Sequence, residues 1–330
     1  MKLEMGYNIL ITGGAGYVGC KLADKLSYDN HTVSVFDLFI YGEDVFENNK
    51  INKIKGDIRN TNLLKKHLKN IDIVIHLACI SNDPSFELNP SLGKEINLDA
   101  FEPLVRESKN AGVKRFIYAS SSSVYGIKEE KNVNEDMSLE PLTDYSKFKA
   151  KCEDILFNYM DSNFESVVIR PATVCGYSKR LRLDLVVNIF ANIGYHTRKV
   201  KVFGGEQLRP NIHIDDMIRA YELLIMSETN KVNGKIFNAG WENKSVLQIA
   251  EEARFILGED ISLEVIPTDD NRSYHISSEK IKRELNFSTK FTISDAIKDL
   301  KNVFESNKLN DPINNIEFYN IKKMQSIKLK

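Results

Sequence analysis

The sequence of 330 residues carries a formal net charge of −1, with 42% hydrophobic and 28% charged residues. This length suits one large α/β domain with an appended lobe, and the balanced charge excludes attraction of nucleic acid or an anionic membrane through the overall field. The four cysteines lack C-x-x-C spacing and the six histidines lack metal-ligand spacing, so no metal site is predicted. The sequence has no recognisable signal peptide and no apolar run long enough to span a bilayer, so we expect a cytoplasmic protein.

Short apolar runs alternate with helical patterns through the first half of the chain. Strands are predicted at 8–11, 32–36, 51–55, 71–77, 115–119 and 166–169, and helices at 17–27, 60–68, 90–111 and 144–160. This alternation indicates an α/β fold with a doubly wound parallel sheet and right-handed crossovers. We assign residues 1–171 to this domain.

The pattern becomes irregular in the second half. Further strands are predicted at 201–203, 235–238 and 262–266, and helices at 215–226, 245–257, 278–285 and 293–304. We expect residues 172–306 to form a smaller, mixed α/β substrate-binding lobe, with the strand near 235–238 returning to the main sheet. Residues 307–330 are predicted to be a solvated, partly disordered tail.

A glycine-rich turn follows the first predicted strand and opens the first predicted helix. Gly13 permits the tight turn, Gly16 lets backbone amides approach a pyrophosphate, and Gly19 allows the helix to pack closely on the sheet. The diphosphate of a dinucleotide would lie on the helix N-terminus, beside Tyr17 and Val18. The pattern predicts a Rossmann-type cofactor domain.

Acids at the ends of the next two strands indicate which dinucleotide binds. Asp37 ends the second predicted strand, where a carboxylate accepts both hydroxyls of an adenosine ribose and repels a 2′-phosphate. We therefore expect NAD and not NADP. Asp57 and Ile58 follow the third strand and are expected to meet the adenine, with a simple turn aspartate as the alternative for Asp57.

A tyrosine and a lysine are spaced for acid–base work on an alcohol. Lys149 lies four positions after Tyr145, so both side chains share one helix face. The lysine charge, with a nicotinamide cation nearby, would favour the tyrosine phenolate. Residues 120–123 are four serines after the fifth strand, where strand ends line the ligand crevice. His76 and His213 are predicted to be structural.

These motifs resemble those of extended short-chain dehydrogenase/reductases in the NAD-dependent epimerase/dehydratase family, which acts on nucleotide sugars. The resemblance covers roughly residues 7 to 300, and rests on 12–19, 76–78, Asn97, 120–126, Tyr145 with Lys149, 170–171 and 209–216. It implies that Tyr145 is the base, that Lys149 tunes it, and that Ser121 is the catalytic hydroxyl. A sugar hydroxyl, usually at C4, would lose its proton to Tyr145 and its hydride to NAD, and the resemblance places Leu77 and Ala78 at the cofactor.

The residues after Ser121 separate the possible outcomes. The resemblance implies an acid pair at these positions in 4,6-dehydratases, and a cysteine in place of Ser123 in 3,5-epimerases and related epimerase-reductases. Because the chain has Ser122 and Ser123, both reactions are disfavoured. A 4-epimerase, which returns the hydride to the opposite face, and a net 4-dehydrogenase, which releases the ketone, stay open.

Two further observations bear on this choice. The segment 180–188 is similar to one in the GDP-heptose 4-dehydrogenase of capsule synthesis, and it recurs in relatives called epimerases. An alternative of another class is a non-catalytic NAD-binding module, because a fold alone does not determine function. Retention of Ser121, Tyr145 and Lys149 together disfavours this alternative.

The resemblance also implies a nucleotide-sugar site built from both parts of the chain. The residues expected at the substrate are Ser81, Ser122, Thr173, Asp184, Leu185, Arg209 and Arg272. Arg209 and Arg272 match the arginines that hold the diphosphate, whose planar forks pair two oxygens at once. Asp184 and Leu185 fall where relatives contact the base, and Thr173 stands where the family has asparagine.

The partner expected beyond the substrate is a second copy of the chain. Relatives form a four-helix dimer interface from the helices predicted here at 90–111 and 144–160, so the resemblance implies a homodimer. No nucleic-acid or membrane partner is expected.

Overall fold

The protein is described by a computed structural model over residues 6–269 and 272–329. Residues 1–5, 270, 271 and 330, which the predicted domains include, lie outside this description. The strands are β1 (Asn8–Thr12), β2 (Thr32–Asp37), β3 (Asn52–Lys55), β4 (Ile73–His76), β5 (Arg115–Ala119), β6 (Glu165–Pro171), β7 (Thr173–Cys175), β8 (Lys199–Phe203), β9 (Leu208–His213), β10 (Lys235–Ala239), β11 (Glu242–Ser245) and β12 (Ser262–Ile266).

The helices connect these strands in alternation through the first half of the chain. They are α1 (Tyr17–Tyr28), α2 (Thr61–His67), α3 (Asp83–Phe86), α4 (Pro90–Lys94), α5 (Phe101–Asn110), α6 (Asp144–Asn158), α7 (Val186–Thr197), α8 (Ile214–Met226), α9 (Thr229–Val232), α10 (Val246–Leu257), α11 (Glu279–Leu285), α12 (Ile293–Glu305) and α13 (Asn320–Ile327). Within the described ranges, no helix combines the length and apolar character needed to cross a bilayer.

The main sheet has seven strands in the order β10-β6-β5-β4-β1-β2-β3, and each neighbouring pair is parallel. Its central strands read as unbroken apolar runs because helices cover both faces. On β1, Leu10 packs into the core on one face, while Ile9 and Ile11 pack into the core on the other. The predicted α/β fold class, a Rossmann-type parallel sheet with a smaller lobe, is confirmed.

The chain leaves the main sheet after β6 and returns to it once. β10 pairs with β6 in parallel, with Lys235 opposite Val167 and Ala239 opposite Pro171. Of the elements in between, β7, α7, β8 and β9 belong to the second lobe, whereas α8 and α9 pack into the core of the main sheet. The two parts are therefore not consecutive segments. The second lobe holds a three-stranded sheet, β11-β9-β7, and a two-stranded sheet, β12-β8, against which α7, α10 and α12 build a separate apolar core.

The predicted helix 90–111 is interrupted. α4 ends at Lys94, a π-helical turn follows over Glu95–Asp99, and α5 begins at Phe101. The wide turn places Asn97 so that its side chain bonds both backbone groups of Ile80, accepting from N–H at 2.8 Å and donating to the carbonyl at 3.0 Å. A π-helical turn of this kind is often found at functional sites, and Ile80 lies directly after β4 beside the cleft described below.

The C-terminal segment differs from the solvated tail expected from its lysines. It forms a short 3-10 turn at Ile316–Phe318 and then α13. Asn320 and Met324, one helical turn apart, are 7% and 8% exposed. Their spacing gives α13 one face that packs on the protein, while Lys322 and Lys328 stay exposed.

Candidate functional site

A cleft runs along the carboxyl edge of the main sheet, between this sheet and the second lobe. This edge is where ligands bind in open α/β sheets. The residues predicted from the sequence that line it are Gly13, Gly16, Tyr17, Val18, Asp37, Asp57, Ile58, Leu77, Ala78, Ser81, Ser121, Ser122, Tyr145, Lys149, Thr173, Leu185, Arg209 and Arg272. Asp184 instead accepts hydrogen bonds from the Arg182 side chain and the Asn320 backbone.

The glycine turn has the geometry of an anion site. Gly13 has a φ of +73°, and a Cβ there would lie 2.4 Å from the backbone nitrogen of Ala78, so only glycine fits. A Cβ at Gly19 would lie 2.6 Å from the Gly13 carbonyl oxygen. Gly16 is the N-cap of α1 and has no side chain that could cap the helix. The first N–H groups of α1 are therefore available to a diphosphate.

The Tyr17 side chain has a structural task beside this turn. Its hydroxyl donates to the Gly176 carbonyl at 2.6 Å and accepts from the Asn188 side chain at 3.2 Å. Burial raises the pKa of the Tyr17 phenol well above its usual value. Tyr17 thus offers a backbone N–H at the helix N-terminus, while its ring and hydroxyl join α1 to the second lobe.

The two acids predicted at the cofactor differ in their partners. Asp37 accepts backbone N–H groups from Ala15 at 3.0 Å and Phe39 at 2.8 Å, and burial raises the pKa of its carboxyl. Each of its oxygens keeps a lone pair for a ribose hydroxyl. Asp57 forms an ion pair with Arg59 at 2.7 Å, and this arginine lowers the pKa of the Asp57 carboxyl.

The three residues predicted to be catalytic lie in the same cleft. Tyr145 lies in the first turn of α6, which Thr143 opens with a capping box. The Lys149 ammonium donates to the Ala119 carbonyl at 2.7 Å and lies 5.9 Å from the centre of the Tyr145 ring. The Ser121 hydroxyl is 2.8 Å from that of Ser123 and accepts its backbone N–H at 3.1 Å.

The electrostatic surroundings hold Tyr145 in its protonated form. Burial raises the pKa of its phenol far above the usual value, and the nearby Asp83 carboxylate acts in the same direction. Arg182 and the backbone N–H of Asn82 oppose this rise. The positive charge of a nicotinamide bound beside the ring would oppose the rise further and favour the phenolate.

A buried polar network supports the strand ends beneath these residues. Ser120 donates to Glu153, which forms an ion pair with Arg170 at 2.6 Å. Both side chains of this pair are 3% exposed. Arg170 also donates to the Tyr125 hydroxyl at 2.8 Å, which donates to the Asn238 side chain at 2.7 Å. Because each partner satisfies a buried neighbour, the network orders the loop that carries Ser121.

The two arginines predicted at a diphosphate lie side by side in the wall of the cleft. Arg272 forms an ion pair with Asp83 at 2.9 Å. Arg209 donates to the Leu208 carbonyl at 3.0 Å and also to the Arg272 carbonyl. A diphosphate arriving here would compete with Asp83 for Arg272.

Two further arginines in the cleft wall were missed from the sequence, although the segment 180–188 that contains them was singled out. Arg182 bonds Asp184 at 2.9 Å and the Ser81 hydroxyl at 3.2 Å. Its buried Nη2 has no hydrogen-bond partner among the described residues. An unsatisfied buried donor is rare in folded proteins, so Arg182 offers a bond to a ligand.

Arg180 also has buried nitrogens that lack a hydrogen-bond partner among the described residues. Its guanidinium lies 3.6 Å from the centre of the Tyr41 ring and donates to the Asn320 side chain at 2.5 Å. Its buried Nε and Nη1 lack hydrogen-bond partners within the described part of the chain. Burial lowers the pKa of this guanidinium. The positions of Tyr41 and Asn320, far from Arg180 in sequence, explain why the pattern did not reveal this contact.

One group of side chains has the composition of a metal site. His213, Asp215 and Asp299 offer ligand atoms within 4.8 Å of one another, which the histidine spacing did not predict. His213 Nδ1 accepts the Asp215 backbone N–H at 3.1 Å, so Nε2 carries the proton and faces the Asp299 carboxylate at 3.3 Å. Because Nδ1 accepts a hydrogen bond it carries no proton, so the imidazole is uncharged in this arrangement, and we read the group as a polar contact and not as an ion pair.

Comparisons with known proteins agree with this geometry. The model of the NAD dependent epimerase/dehydratase family matches residues 9–240. A UDP-glucose 4-epimerase of Lactobacillus helveticus is 28% identical over 274 residues, which are 77% of this chain and 82% of the relative. A dTDP-D-glucose 4,6-dehydratase of Bos taurus is 28% identical over 297 residues, which are 83% of this chain and 82% of the relative.

Solved structures resemble the whole fold. The UDP-glucose 4-epimerase of Thermotoga maritima, crystallised with UDP-glucose, has a TM-score of 0.83 at 25% identity, covering 91% of this chain and 99% of its own. MoeE5 in complex with UDP-glucose and NAD has a TM-score of 0.79 at 25% identity, with coverage of 91% and 99%.

Proposed function

Because this chain belongs to the NAD-dependent epimerase/dehydratase family, we propose that it oxidises the C4 hydroxyl of a nucleotide-linked sugar and returns the hydride to the opposite face, as a nucleotide-sugar 4-epimerase. NAD is the cofactor of the family, and the residues of the glycine turn and Asp37 fit it. The observation that carries the proposal is the meeting of Ser121, Tyr145 and Lys149 in the cofactor cleft.

Each of these side chains has a distinct task in the proposed reaction. NAD, when bound, supplies the hydride acceptor. Tyr145 takes the hydroxyl proton, and Ser121 bonds the same oxygen and fixes its direction toward the base. Lys149, bonded to the Ala119 carbonyl at 2.7 Å, adds positive charge on the same side of the cleft. The same residues act in reverse when the ketone is reduced.

The side chains around Ser121 favour epimerisation over loss of water. Loss of water from the intermediate needs an additional acid and base, and the two positions after Ser121 are Ser122 and Ser123. Asp83, an acid that lines the cleft, accepts a bond from Thr143 at 2.6 Å and pairs with Arg272. Because its carboxylate oxygens already accept these two contacts, Asp83 is poorly placed to serve as the additional acid.

A net NAD-dependent 4-dehydrogenase of a GDP-sugar, such as GDP-heptose, is the second candidate. The observation that favours it is the segment 180–188, whose sequence resembles that enzyme and whose Arg180, Arg182 and Leu185 line the cleft. Both candidates are compatible with a role in capsule or polysaccharide synthesis. They differ in the fate of the hydride, which product analysis measures.

The proposal predicts that Tyr145→Phe abolishes turnover without weakening the cofactor complex. The variant keeps the ring but lacks the proton acceptor, so we expect turnover to fall by about two to four orders of magnitude with NAD affinity unchanged. The assay follows UDP-, GDP-, CDP- and dTDP-sugars by mass, NADH absorbance and the configuration at C4. Tyr159→Phe, the same change at the far end of α6, is the matched control.

The outcomes of this assay separate the candidates. Inversion at C4 without accumulation of NADH supports the 4-epimerase. NADH formed in step with a ketone product replaces it by the 4-dehydrogenase. Wild-type turnover in Tyr145→Phe contradicts both candidates. A non-catalytic module is supported if the wild-type protein turns over no nucleotide sugar and has a stable protein partner.

The expected assembly is a homodimer, and it stays a prediction. The helices that relatives would use are α4, α5 and α6. Met160 and Leu142, which flank α6, are 40% and 47% exposed, so apolar surface is available near this face.

A further inference from the structure

The C-terminal helix α13 lies against one end of the cofactor cleft. Met324 packs in the same apolar core as Ile58, Ile80 and Ile96, and these four side chains all line the cleft. Leu329, just after α13, packs against this core and also lines the cleft. The family match ends at residue 240, before α13 begins.

Asn320 fastens the start of α13 to both parts of the protein. Its side-chain oxygen accepts from the Tyr41 hydroxyl at 3.0 Å and from Arg180 at 2.5 Å. Its amide group donates to the Ser81 hydroxyl at 3.0 Å, and its backbone N–H donates to Asp184 at 2.9 Å. Tyr41 and Ser81 belong to the main-sheet domain, whereas Arg180 and Asp184 belong to the loop after β7.

Two neighbours of α13, Tyr41 and Ile58, indicate the part of the dinucleotide that it faces. Tyr41 follows β2, which ends at Asp37, the residue expected at the adenosine ribose. Ile58 follows Asp57 after β3, where the adenine is expected. The apolar wall of Met324 and Leu329 matches the face of an adenine ring, and Asn320 lies toward the ribose side.

We propose that α13 is a strap that retains NAD, with Met324 and Leu329 covering the adenosine half and Asn320 locking the helix in place. This inference rests on the proposed 4-epimerase function and adds to it a means of retaining the cofactor. An epimerase needs the same cofactor molecule to accept and return one hydride, and slow release of the reduced cofactor keeps it in the cleft between the two steps.

Release of NADH from the protein tests the strap. The protein is loaded with NADH, mixed with excess NAD, and followed by the loss of bound NADH fluorescence. We expect Met324→Ala and Asn320→Ala each to release NADH at least about tenfold faster than wild type, because each removes a contact worth more than about 1.4 kcal/mol. Gln325→Ala, on the exposed face of α13, is the control and should release NADH at the wild-type rate.

The result that overturns the strap is release within about twofold of wild type for Asn320→Ala and Met324→Ala with an unchanged circular dichroism spectrum. Because Met324 belongs to the core, Met324→Ala could fail to fold. In that case Leu329→Ala is measured in its place. Analysis at C4 keeps the two proposals apart. Fast release with C4 inversion restored by added NAD supports both, and fast release from a protein without C4 chemistry supports the strap while rejecting the 4-epimerase.

Discussion

His76, at the end of β4, is held neutral by its surroundings. The side chain is 3% exposed, and its Nδ1 lies 2.7 Å from the Thr12 hydroxyl. Burial, with a smaller contribution from the Lys149 charge, lowers the pKa of the imidazole to about 3. His76 is therefore a neutral packing residue among Phe101, Phe116 and Tyr118, which agrees with the structural role predicted for it.

This pKa predicts a loss of stability in mild acid. In the unfolded chain the imidazole takes up a proton near pH 6.5, whereas in the folded protein it stays neutral down to about pH 3. Between these values the unfolded state binds more protons, so the free energy of unfolding falls as the pH drops below about 6.5, by at most about 1.4 kcal/mol per pH unit. Urea titrations at several pH values measure the slope.

His76→Asn is the control for this prediction. It removes the titrating group and keeps a polar partner for Thr12. We expect a shallower dependence of stability on pH in the variant between about pH 5 and 6.5. Parallel slopes for the two proteins in this range would show that other groups cause the acid sensitivity.

At this scale, the sequence reveals residues whose requirement is local. Gly13 and Asp37 were predicted because a turn after a strand and an acid at a strand end have the same neighbours in every such domain, and both line the cleft. Arg180 and Asn320 could not be predicted in this way. The two side chains are buried against each other in the fold. This contact joins residues that are 140 positions apart in the sequence, so no local pattern predicts it.

Helix α6 is the element that carries both Tyr145 and Lys149, and its first turn depends on Thr143. The Thr143 hydroxyl accepts the Ser146 N–H in a capping box and donates to Asp83 at 2.6 Å. The cap thus fixes the start of the helix two residues before Tyr145, and it connects that start to the first residue of α3.

Thr143→Ala should destabilise this element. Loss of the cap is expected to lower the free energy of unfolding by about 1 kcal/mol, and loss of the bond to Asp83 should lower turnover by loosening the first turn around Tyr145. Chemical denaturation and steady-state kinetics measure the two effects. Thr143→Ser keeps the hydroxyl and should restore both, so equal losses in the two variants would contradict the role of the cap.

Elements with regular periodicity were predicted well, and irregular ones were not. The strands of the first half lie within a few residues of their predicted positions because buried parallel strands are apolar throughout. The break within the predicted helix 90–111 was missed, since a π-helical turn changes the register by one residue without changing composition. α13 was missed because its buried face consists of only two residues, Asn320 and Met324, one of which is polar.

The molecule as a whole is joined across its two lobes by buried hydrogen bonds near α1. Tyr17 contacts Gly176 and Asn188, and the Cys20 thiol lies 3.0 Å from the Ser178 hydroxyl. The helix that offers its N-terminus to the diphosphate is thus also the helix that holds the second lobe. Binding of the cofactor and docking of the lobes therefore share one element.

Tyr17→Phe should weaken this joint more than the cofactor site. The ring stays in place, but the Gly176 carbonyl and the Asn188 amide each lose a buried partner, at an expected cost of about 1–3 kcal/mol in unfolding free energy. Because the backbone N–H at residue 17 is unchanged, NAD affinity should change little. Calorimetry and NAD titration test this, with Tyr177→Phe as the matched change in the neighbouring loop. A large loss of NAD affinity without a loss of stability would assign the hydroxyl to the cofactor.

The overall architecture was predictable, because alternation of strands and helices restricts the chain to a doubly wound sheet. The sequence also indicated that the second half would be mixed. It did not show how the lobes contact each other, since the bonds between α1 and the loop after β7 join single polar residues that no periodic pattern marks.

The position of β10 late in the chain has a consequence for folding during synthesis on the ribosome. The chain is made from its N-terminus, and α7, β8, β9, α8 and α9 all precede β10. Until residue 239 has emerged, β6 is an open sheet edge of five buried consecutive residues. An exposed apolar edge invites pairing with other chains, so the interval of synthesis between β6 and β10 is when a nascent chain most needs a chaperone.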